Sequence, residues 1–243
     1  MRLLAIETST EACSVAVLAG GAVSERFEVA PRRHAELVLP WAEALLAEAG
    51  LRRADLDAIA VSRGPGAFTG VRLGMSIAQG IALALDRPLL PVSTLAVLAM
   101  GALRVPGIPD ADAPSPDFIL AAIDARMGEV YAGAFVRDGQ GLHALDRERV
   151  AAPDALGLPP GGPWHGVGTG FAAADGALAR RLGDGLVSAD ATALPRAADL
   201  VHLGALLLAA GGAMAPEKAE PAYLRDSVAL TLAEQAAARE ARD

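Results

Sequence analysis

The residues whose types and spacing are best suited to chemistry lie in a glycine-rich segment from Ser62 to Gly74. It reads SRGPGAFTGVRLG. Thr69 is expected to cap a following helix, whose first backbone N–H groups would then be free to bind an anion. The spacing matches neither Gly-x-x-x-x-Gly-Lys-Ser/Thr nor Gly-x-Gly-x-x-Gly, and glycine clusters mostly serve tight turns. Two interpretations stay open, an anion-binding loop and a purely structural turn.

The elements that must position this segment follow from the hydrophobic pattern. A strand is expected before it, and after it comes a helix with apolar residues on every side, which is either central to a core or covered by another chain. Upstream, a three-stranded meander with a turn at Gly20-Gly21 precedes a further helix. These elements cover Leu3 to Ile6, Cys13 to Leu18, Val23 to Val29, His34 to Ala49, Leu56 to Val61 and Val71 to Leu85.

The second half of the chain opens as the first half does. Glu7 and Asp124 each end an apolar strand and precede a turn and a second strand, which indicates an internal duplication. Residues 105–117, rich in Pro and Asp, have linker composition, so the sequence predicts two lobes, 1–104 and 105–243. A duplicated α/β fold with a cleft between its lobes is expected. The C-terminal segment is expected to pack back on the first lobe.

Later elements are less regular. The sequence predicts a short strand at Pro88 to Val92 and a helix over Thr94 to Leu103. After the second hairpin come a glycine-rich loop at Trp164 to Gly170, helices over Phe171 to Leu182 and Asp199 to Ala213, and a helical tail rich in Ala, Glu and Arg.

Composition limits the class of protein. The 243 residues carry a formal net charge of −8, which argues against holding nucleic acid by an overall positive field. If an RNA is involved, another subunit is expected to carry most of the contact. The single cysteine, Cys13, is expected to be a small buried hydrophobe. Glu7 interrupts the N-terminal apolar run too early for a signal peptide, so a soluble cytoplasmic protein without membrane partners is expected.

Four stretches together resemble the TsaB family, also called YeaZ: residues 4–10, 62–74, 124–131 and 223–226. The resemblance implies the duplicated actin-like ATPase fold, with a mixed sheet and flanking helices in each lobe. It implies a non-catalytic scaffold or activating subunit in the threonylcarbamoyl modification of adenosine 37 of tRNA. The implied partners are the catalytic paralogue TsaD and the small P-loop ATPase TsaE, with tRNA bound through the complex. When alone, such subunits form homodimers through helices of the first lobe.

The resemblance also bears on metal and nucleotide. Catalytic paralogues hold a metal with His-x-x-x-His, and the matching positions here are Thr94 and Leu98, so no metal is expected. No cofactor is certain, but weak ATP or ADP binding is a hypothesis, motivated by hydroxyls and glycines at two turns. The residues that would carry it are Thr8, Ser9, Thr10, Gly166, Gly168 and Gly170.

The two helices of the first half show more apolar surface than one small lobe readily buries, which favours a partner interface. The alternative is that these residues are simply core. The expected contact residues are His34, Leu37, Trp41, Leu45, Thr69, Val71, Arg72, Met75 and Gln79. On this hypothesis, Met75→Glu or Leu45→Asp would disrupt association and leave a folded monomer.

Other function classes are weaker. A small-molecule kinase or ATPase of the same fold is the main alternative, and it would need working phosphate turns. A protease is least expected, because the chain has no Gly-x-Ser-x-Gly motif.

Overall fold

The computed structural model describes residues 1–102, 117–138 and 141–225. They form two sheets with helices on their faces. The strands are β1 (Arg2–Glu7), β2 (Ala12–Ala19), β3 (Ala22–Val29), β4 (Ala58–Ser62), β5 (Leu89–Val92), β6 (Asp117–Arg126), β7 (Glu129–Asp138), β8 (Gly141–Ala144), β9 (Arg149–Ala151), β10 (Trp164–Val167) and β11 (Leu186–Asp190). The helices are α1 (His34–Glu48), α2 (Phe68–Leu85), α3 (Thr94–Gly101), α4 (Ala173–Leu182) and α5 (Ala197–Ala209).

The first sheet has the order β3-β2-β1-β4-β5. Its first three strands form the antiparallel meander that the sequence predicts, and β4 and β5 add in parallel. Because side chains alternate across a strand, β1 feeds two cores. Leu4 and Ile6 face the core that α1 and α2 cover, whereas Leu3 and Ala5 face the core that α5 covers. We call this sheet with α1 and α2 the first lobe.

The second sheet has the order β11-β10-β6-β7-β8, with β9 paired to β7. An antiparallel hairpin, β6 and β7, is again followed by parallel strands on the side of its first strand. The two sheets therefore repeat one arrangement, and the predicted duplicated α/β fold is confirmed. We call this sheet with α4 the second lobe. Helix α3 packs against it through Leu95 and Leu98.

Several sequence-based boundaries differ from the structure. The predicted loop from Trp164 to Gly170 begins as β10, an inner strand whose residues are all buried. β11 was not predicted. Helix α2 begins at Phe68 with Ala67 in the N-cap position, so Thr69 lies inside the helix and does not cap it. The predicted helix from Phe171 divides into a 3₁₀ turn over Thr169–Phe171 and α4.

Two predictions lie outside the described residues, the lobe boundary between residues 104 and 105 and the helical tail after residue 225. The chain does return to the first lobe after β11, because α5 packs on β1 and β2. Within the described ranges, α2 is one helix whose length and composition would allow it to cross a bilayer. One side of it, including Val71, Met75 and Ala78, is buried in the first lobe.

Candidate functional site

The turn after β1 lies directly against the glycine-rich segment. A Cβ atom added at Gly66 would lie 2.3 Å from the carbonyl oxygen of Ser9, and one at Gly70 would lie 2.1 Å from that of Thr8. One at Gly74 would lie 2.5 Å from Thr8 Oγ1. Real Cβ atoms cannot approach so closely, so these glycines allow two backbone segments to touch. This geometry favours the structural-turn interpretation over the anion-binding loop.

The hydroxyl groups at this turn are used inside the protein. Thr8 Oγ1 donates to the carbonyl oxygen of Gly70 at 2.8 Å, and the Thr10 hydroxyl accepts a backbone N–H at 3.4 Å. The Ser9 hydroxyl receives a hydrogen bond from Thr94 Oγ1 at 3.0 Å. Thr8, Ser9 and Thr10 are also all buried. These hydroxyls already have partners and little exposure, which disfavours the predicted role in holding a nucleotide phosphate, and that role stays a prediction.

Glu7 is the carboxylate around which this turn is built. It is fully buried at the end of β1 and accepts hydrogen bonds from the Ser9 backbone N–H at 2.7 Å and from the Ser9 and Ser62 hydroxyls. Burial raises the pKa of the Glu7 carboxyl, and the hydrogen bonds from both serines oppose that shift. Glu7 thus ties β1, its turn and β4 together.

The three glycines near β10 also serve packing. A Cβ atom at Gly166 would lie 2.5 Å from the ring of Phe171, and one at Gly170 would lie 2.7 Å from Ala122 Cβ. Gly168 has a φ of 107°, and a Cβ there would lie 2.3 Å from the carbonyl oxygen of Ala122. Protein atoms fill the space beside each glycine. These glycines therefore have a packing role, and their expected contact with a nucleotide stays a prediction.

The positions where the resemblance would place metal-binding histidines are filled by packed side chains. Thr94 is fully buried and its hydroxyl is bonded to Ser9. Leu98 is buried against the second sheet, 2.4 Å from where a Cβ atom of Gly168 would lie. Across the described ranges, no group of three or more His, Cys, Asp or Glu side chains is placed to hold a metal ion. These residues do not fit the metal of a catalytic paralogue.

A cleft of about 1150 Å³ opens between the two lobes. Among the described residues that line it, four are arginines, Arg32, Arg72, Arg126 and Arg225, and two are carboxylates, Glu11 and Asp124. Arg126 is paired with Asp124 at 2.7 Å. Arg32 and Arg126 adopt positive φ angles of 68° and 64°. Residues other than glycine adopt such backbone angles at a cost in free energy.

A C-terminal strap, which we define as residues 216–225, crosses from the first lobe to the second. Gln79 Nε2 on α2 donates to the carbonyl oxygens of Pro216 and Ala219 at 3.0 and 3.1 Å. At the far end, Arg225 pairs with Glu129 of β7 at 2.5 Å. Gln79 therefore holds the strap, and its expected contact with a partner stays a prediction.

Where the strap passes α2, two exposed rings and a guanidinium form a cluster. Arg72 lies 3.6 Å from the centre of the Phe68 ring, and its Nε donates to the Tyr223 hydroxyl at 2.8 Å. The two rings are 6.3 Å apart. Phe68 is 57% exposed and Tyr223 is 53% exposed. We call Phe68, Arg72 and Tyr223 the aromatic cluster.

Four of the residues expected at a partner interface are buried in the first lobe: His34, Leu45, Val71 and Met75. His34 Nε2 lies 3.0 and 3.1 Å from the carbonyl oxygens of Thr10 and Ala12, so that nitrogen carries the proton and holds the turn after β1. The all-apolar pattern of α2 could not show which side faces the sheet. These four residues are corrected to core positions.

The other expected contact residues remain accessible to different degrees. Thr69 and Arg72 are exposed, and Leu37 and Trp41 are half-buried. The sequence interpretation missed Phe68, Ser76, Gly80 and Leu83, which lie on the same exposed side of α2. Their spacing of three to four residues was the signal that could have found them. We call Thr69, Ser76, Gly80 and Leu83 the exposed face of α2, which adjoins the aromatic cluster.

Two further buried side chains, Cys13 and His165, have shifted pKa values. Burial raises the pKa of the Cys13 thiol to about 12, helped by the charges of Glu7 and Glu28, so Cys13 is a buried hydrophobe as predicted. Burial lowers the pKa of His165, whose Nδ1 lies 2.9 Å from the Ser188 hydroxyl. Neither residue lines the cleft.

Comparison with known proteins places this arrangement in context. The sequence model of the family described as TsaD, tRNA N6-adenosine threonylcarbamoyltransferase, matches residues 19–232. The chain is 43% identical to the tRNA threonylcarbamoyladenosine biosynthesis protein TsaB of Escherichia coli (strain K12), covering 94% of this chain and 96% of that protein. The TsaB of Haemophilus influenzae is 35% identical, with 94% and 95% covered. YeaZ from Pseudomonas aeruginosa superposes with a TM-score of 0.83 at 42% identity, covering 92% of this chain and 99% of that one.

Proposed function

This chain belongs to the TsaB family, and from that membership we propose that it is the non-catalytic partner subunit of the enzyme that modifies tRNA with threonylcarbamoyl. It has the duplicated actin-like fold of that family and functions in the biosynthesis of tRNA threonylcarbamoyladenosine. The observation that carries the proposal is the 43% identity to the Escherichia coli TsaB over nearly the whole of both chains. The proposed site of action is the cytoplasm, where tRNA is processed.

The packing around Thr94 supports a role without catalysis. Thr94 and Leu98 are buried where a catalytic paralogue would present metal ligands, and the turn hydroxyls of Thr8 and Ser9 are bonded within the protein. A phosphoryl-transfer enzyme needs groups that meet phosphate and metal in an open site. The residues at these turns instead hold β1, α2 and α3 together. This structural role is the one expected of a non-catalytic subunit.

The exposed face of α2 is the surface we propose for the catalytic paralogue. It presents small or apolar side chains at Thr69, Ser76, Gly80 and Leu83, and a Cβ atom at Gly80 would meet nothing within 4 Å. Small residues let a second helix approach closely, and Leu83, at 60% exposed, is an apolar anchor. On the neighbouring helix, the half-buried Trp41 packs at the edge of the same core. We propose that two copies use this face when the paralogue is absent.

A TsaE-like P-loop ATPase is proposed as a further partner, and tRNA as the substrate of the assembled complex. The test is reconstitution with the threonylcarbamoyltransferase and the ATPase of the same organism, the threonylcarbamoyl adenylate and tRNA. We expect modified tRNA only when this chain and the threonylcarbamoyltransferase are both present, and no ATP hydrolysis by this chain alone. Turnover of ATP by the isolated chain would contradict the proposal and support a kinase or ATPase.

A further inference from the structure

The aromatic cluster has an unusual combination of properties for a surface feature. Phe68 and Tyr223 are more than half exposed, yet the Arg72 guanidinium fixes their positions by stacking on Phe68 and donating to the Tyr223 hydroxyl. No salt bridge within the described ranges involves Arg72. Flat apolar faces beside a charge that no carboxylate neutralises favour a ligand that is both planar and anionic.

The charge of the adjoining cleft points the same way. Two of its four arginines are paired with carboxylates, Arg126 with Asp124 and Arg225 with Glu129. Arg32 makes no salt bridge or side-chain hydrogen bond within the described part of the chain, and its backbone is held at a positive φ. Arg32 and Arg72 are thus two arginines on one cleft without a salt bridge to a described carboxylate, in a chain whose formal net charge is −8. A local positive site on an acidic protein indicates an anionic ligand.

We propose that the aromatic cluster and Arg32 form a binding site for a single-stranded RNA segment. One or two bases stack on Phe68 and Tyr223, and Arg32 and Arg72 contact the neighbouring phosphates. Aromatic platforms beside a basic groove are how proteins bind single strands without reading sequence. A paired RNA helix cannot use the rings, because its bases are already stacked. An acidic peptide would use the arginines but not the rings.

This inference rests on the proposed function for the identity of the RNA, which would be an unpaired loop of the tRNA substrate. The cluster lies at the N-terminal end of α2, next to the face proposed for the catalytic paralogue. An RNA loop bound at the cluster would therefore lie next to the paralogue and would not occupy the surface that the paralogue contacts. The site would add to substrate binding by the complex without taking part in the chemistry.

The test is fluorescence anisotropy of a fluorescein-labelled single-stranded oligouridylate titrated with the full chain at several salt concentrations. We expect binding in the range of about 10⁻⁶ to 10⁻⁴ M that weakens with salt. Arg32→Gln and Arg72→Gln should each weaken binding and reduce the salt slope by about one. Phe68→Leu and Tyr223→Leu should weaken binding about fivefold or more with the slope unchanged. The matched control is Arg53→Gln, an exposed arginine that does not line the cleft.

Three results would overturn the inference: no change in anisotropy at low salt, equal effects of Arg53→Gln and Arg72→Gln, or displacement by polyglutamate with Phe68→Leu still binding normally. The last would identify an acidic-peptide site instead. Each variant is also mixed with the threonylcarbamoyltransferase and its mass is measured by light scattering. Loss of RNA binding with the mass of the complex retained tests this site alone, whereas failure of the unaltered chain to form the complex would contradict the proposed function.

Discussion

Gly70 of α2 lies so close to Thr8 that a Cβ atom at Gly70 would be 2.1 Å from the Thr8 carbonyl oxygen. The Thr8 hydroxyl in turn donates a hydrogen bond to the carbonyl oxygen of Gly70. The contact joins the turn after β1 to the first turn of α2. It explains why the most distinctive motif of the sequence is rich in glycine without being a phosphate loop. It also makes the motif a structural joint between the sheet and the proposed partner helix.

The first prediction follows from this contact. Gly70→Ala should destabilise the protein by about 1–3 kcal/mol, because the added methyl group forces the turn and helix apart. Gly80→Ala, on the same helix, should instead stabilise it by about 0.5–1 kcal/mol, since nothing lies within 4 Å of the added Cβ and alanine favours helix. Urea denaturation measures both. Equal effects of the two substitutions would contradict the account of the motif.

The second prediction concerns the two sides of α2. Met75 is 3% exposed and Leu83 is 60% exposed. Met75→Ala should cost about 2–5 kcal/mol of unfolding free energy, whereas Leu83→Ala should change it by less than about 0.5 kcal/mol. By the same reasoning, Met75→Glu and Leu45→Asp should unfold the chain rather than leave a folded monomer. A folded Met75→Glu protein would show that this side of α2 is not core.

The third prediction concerns Glu7 and pH. Burial raises the pKa of Glu7, so between the unfolded and folded pKa values the folded protein binds more protons than the unfolded chain. The stability from this group is fully present below the unfolded pKa and is lost as pH rises through the folded pKa. Glu7→Gln removes this titration. Its thermal midpoint should therefore fall less than that of the unaltered chain as the pH rises above the unfolded pKa of Glu7.

The control for Glu7→Gln is Glu36→Gln, an exposed position on α1. Its melting temperatures should follow those of the unaltered chain at every pH. If the Glu7→Gln and Glu36→Gln curves run parallel, Glu7 does not titrate differently in the folded and unfolded states, and the electrostatic account of this turn is wrong.

The fourth prediction concerns the C-terminal strap. Gln79→Ala removes the two hydrogen bonds to Pro216 and Ala219, each worth about 0.5–1.5 kcal/mol. Local opening of the strap should become more frequent, so the Ala222 amide, which donates to the Arg63 carbonyl oxygen, should exchange with deuterium faster. Ser76→Ala, on the exposed face of the same helix, is the control. Unchanged exchange at Ala222 would show that Gln79 does not hold the strap.

Much of the first lobe could be predicted from sequence because its signals are local. Alternating strands around Gly20-Gly21, whose φ angles are 58° and 86°, define the meander, and the apolar run before Ser62 defines β4. β10 and β11 were missed because they are short and parallel, and Gly166 in β10 suggested a loop. That glycine is present because the Phe171 ring occupies the space of a side chain, a contact that no local pattern reveals.

The site was harder to predict than the fold. Serine and threonine are residue types that bind phosphate, and they stand at positions 8 to 10. Only the structure shows that the hydroxyl groups of Thr8, Ser9 and Thr10 already form hydrogen bonds with neighbouring backbone and side-chain groups. The sequence also could not show which side of α2 is buried and which is exposed, because a helix that is apolar all round has no amphipathic pattern. The meeting of Arg72 with Tyr223 joins residues far apart in the chain, and sequence spacing does not predict it.

The most direct test of the central claim is the mass, by light scattering, of this chain mixed with the threonylcarbamoyltransferase of the same organism. We expect the unaltered chain to form a one-to-one complex with the threonylcarbamoyltransferase. The control variant Leu206→Glu should form it too, because Leu206 is an exposed residue of α5 on the opposite face of the first sheet. Leu83→Glu should fold normally and fail to form it, because a charge would be buried against the partner. If no complex forms with the unaltered chain, the proposed function is wrong. If Leu83→Glu assembles as well as Leu206→Glu, the proposed partner surface is wrong.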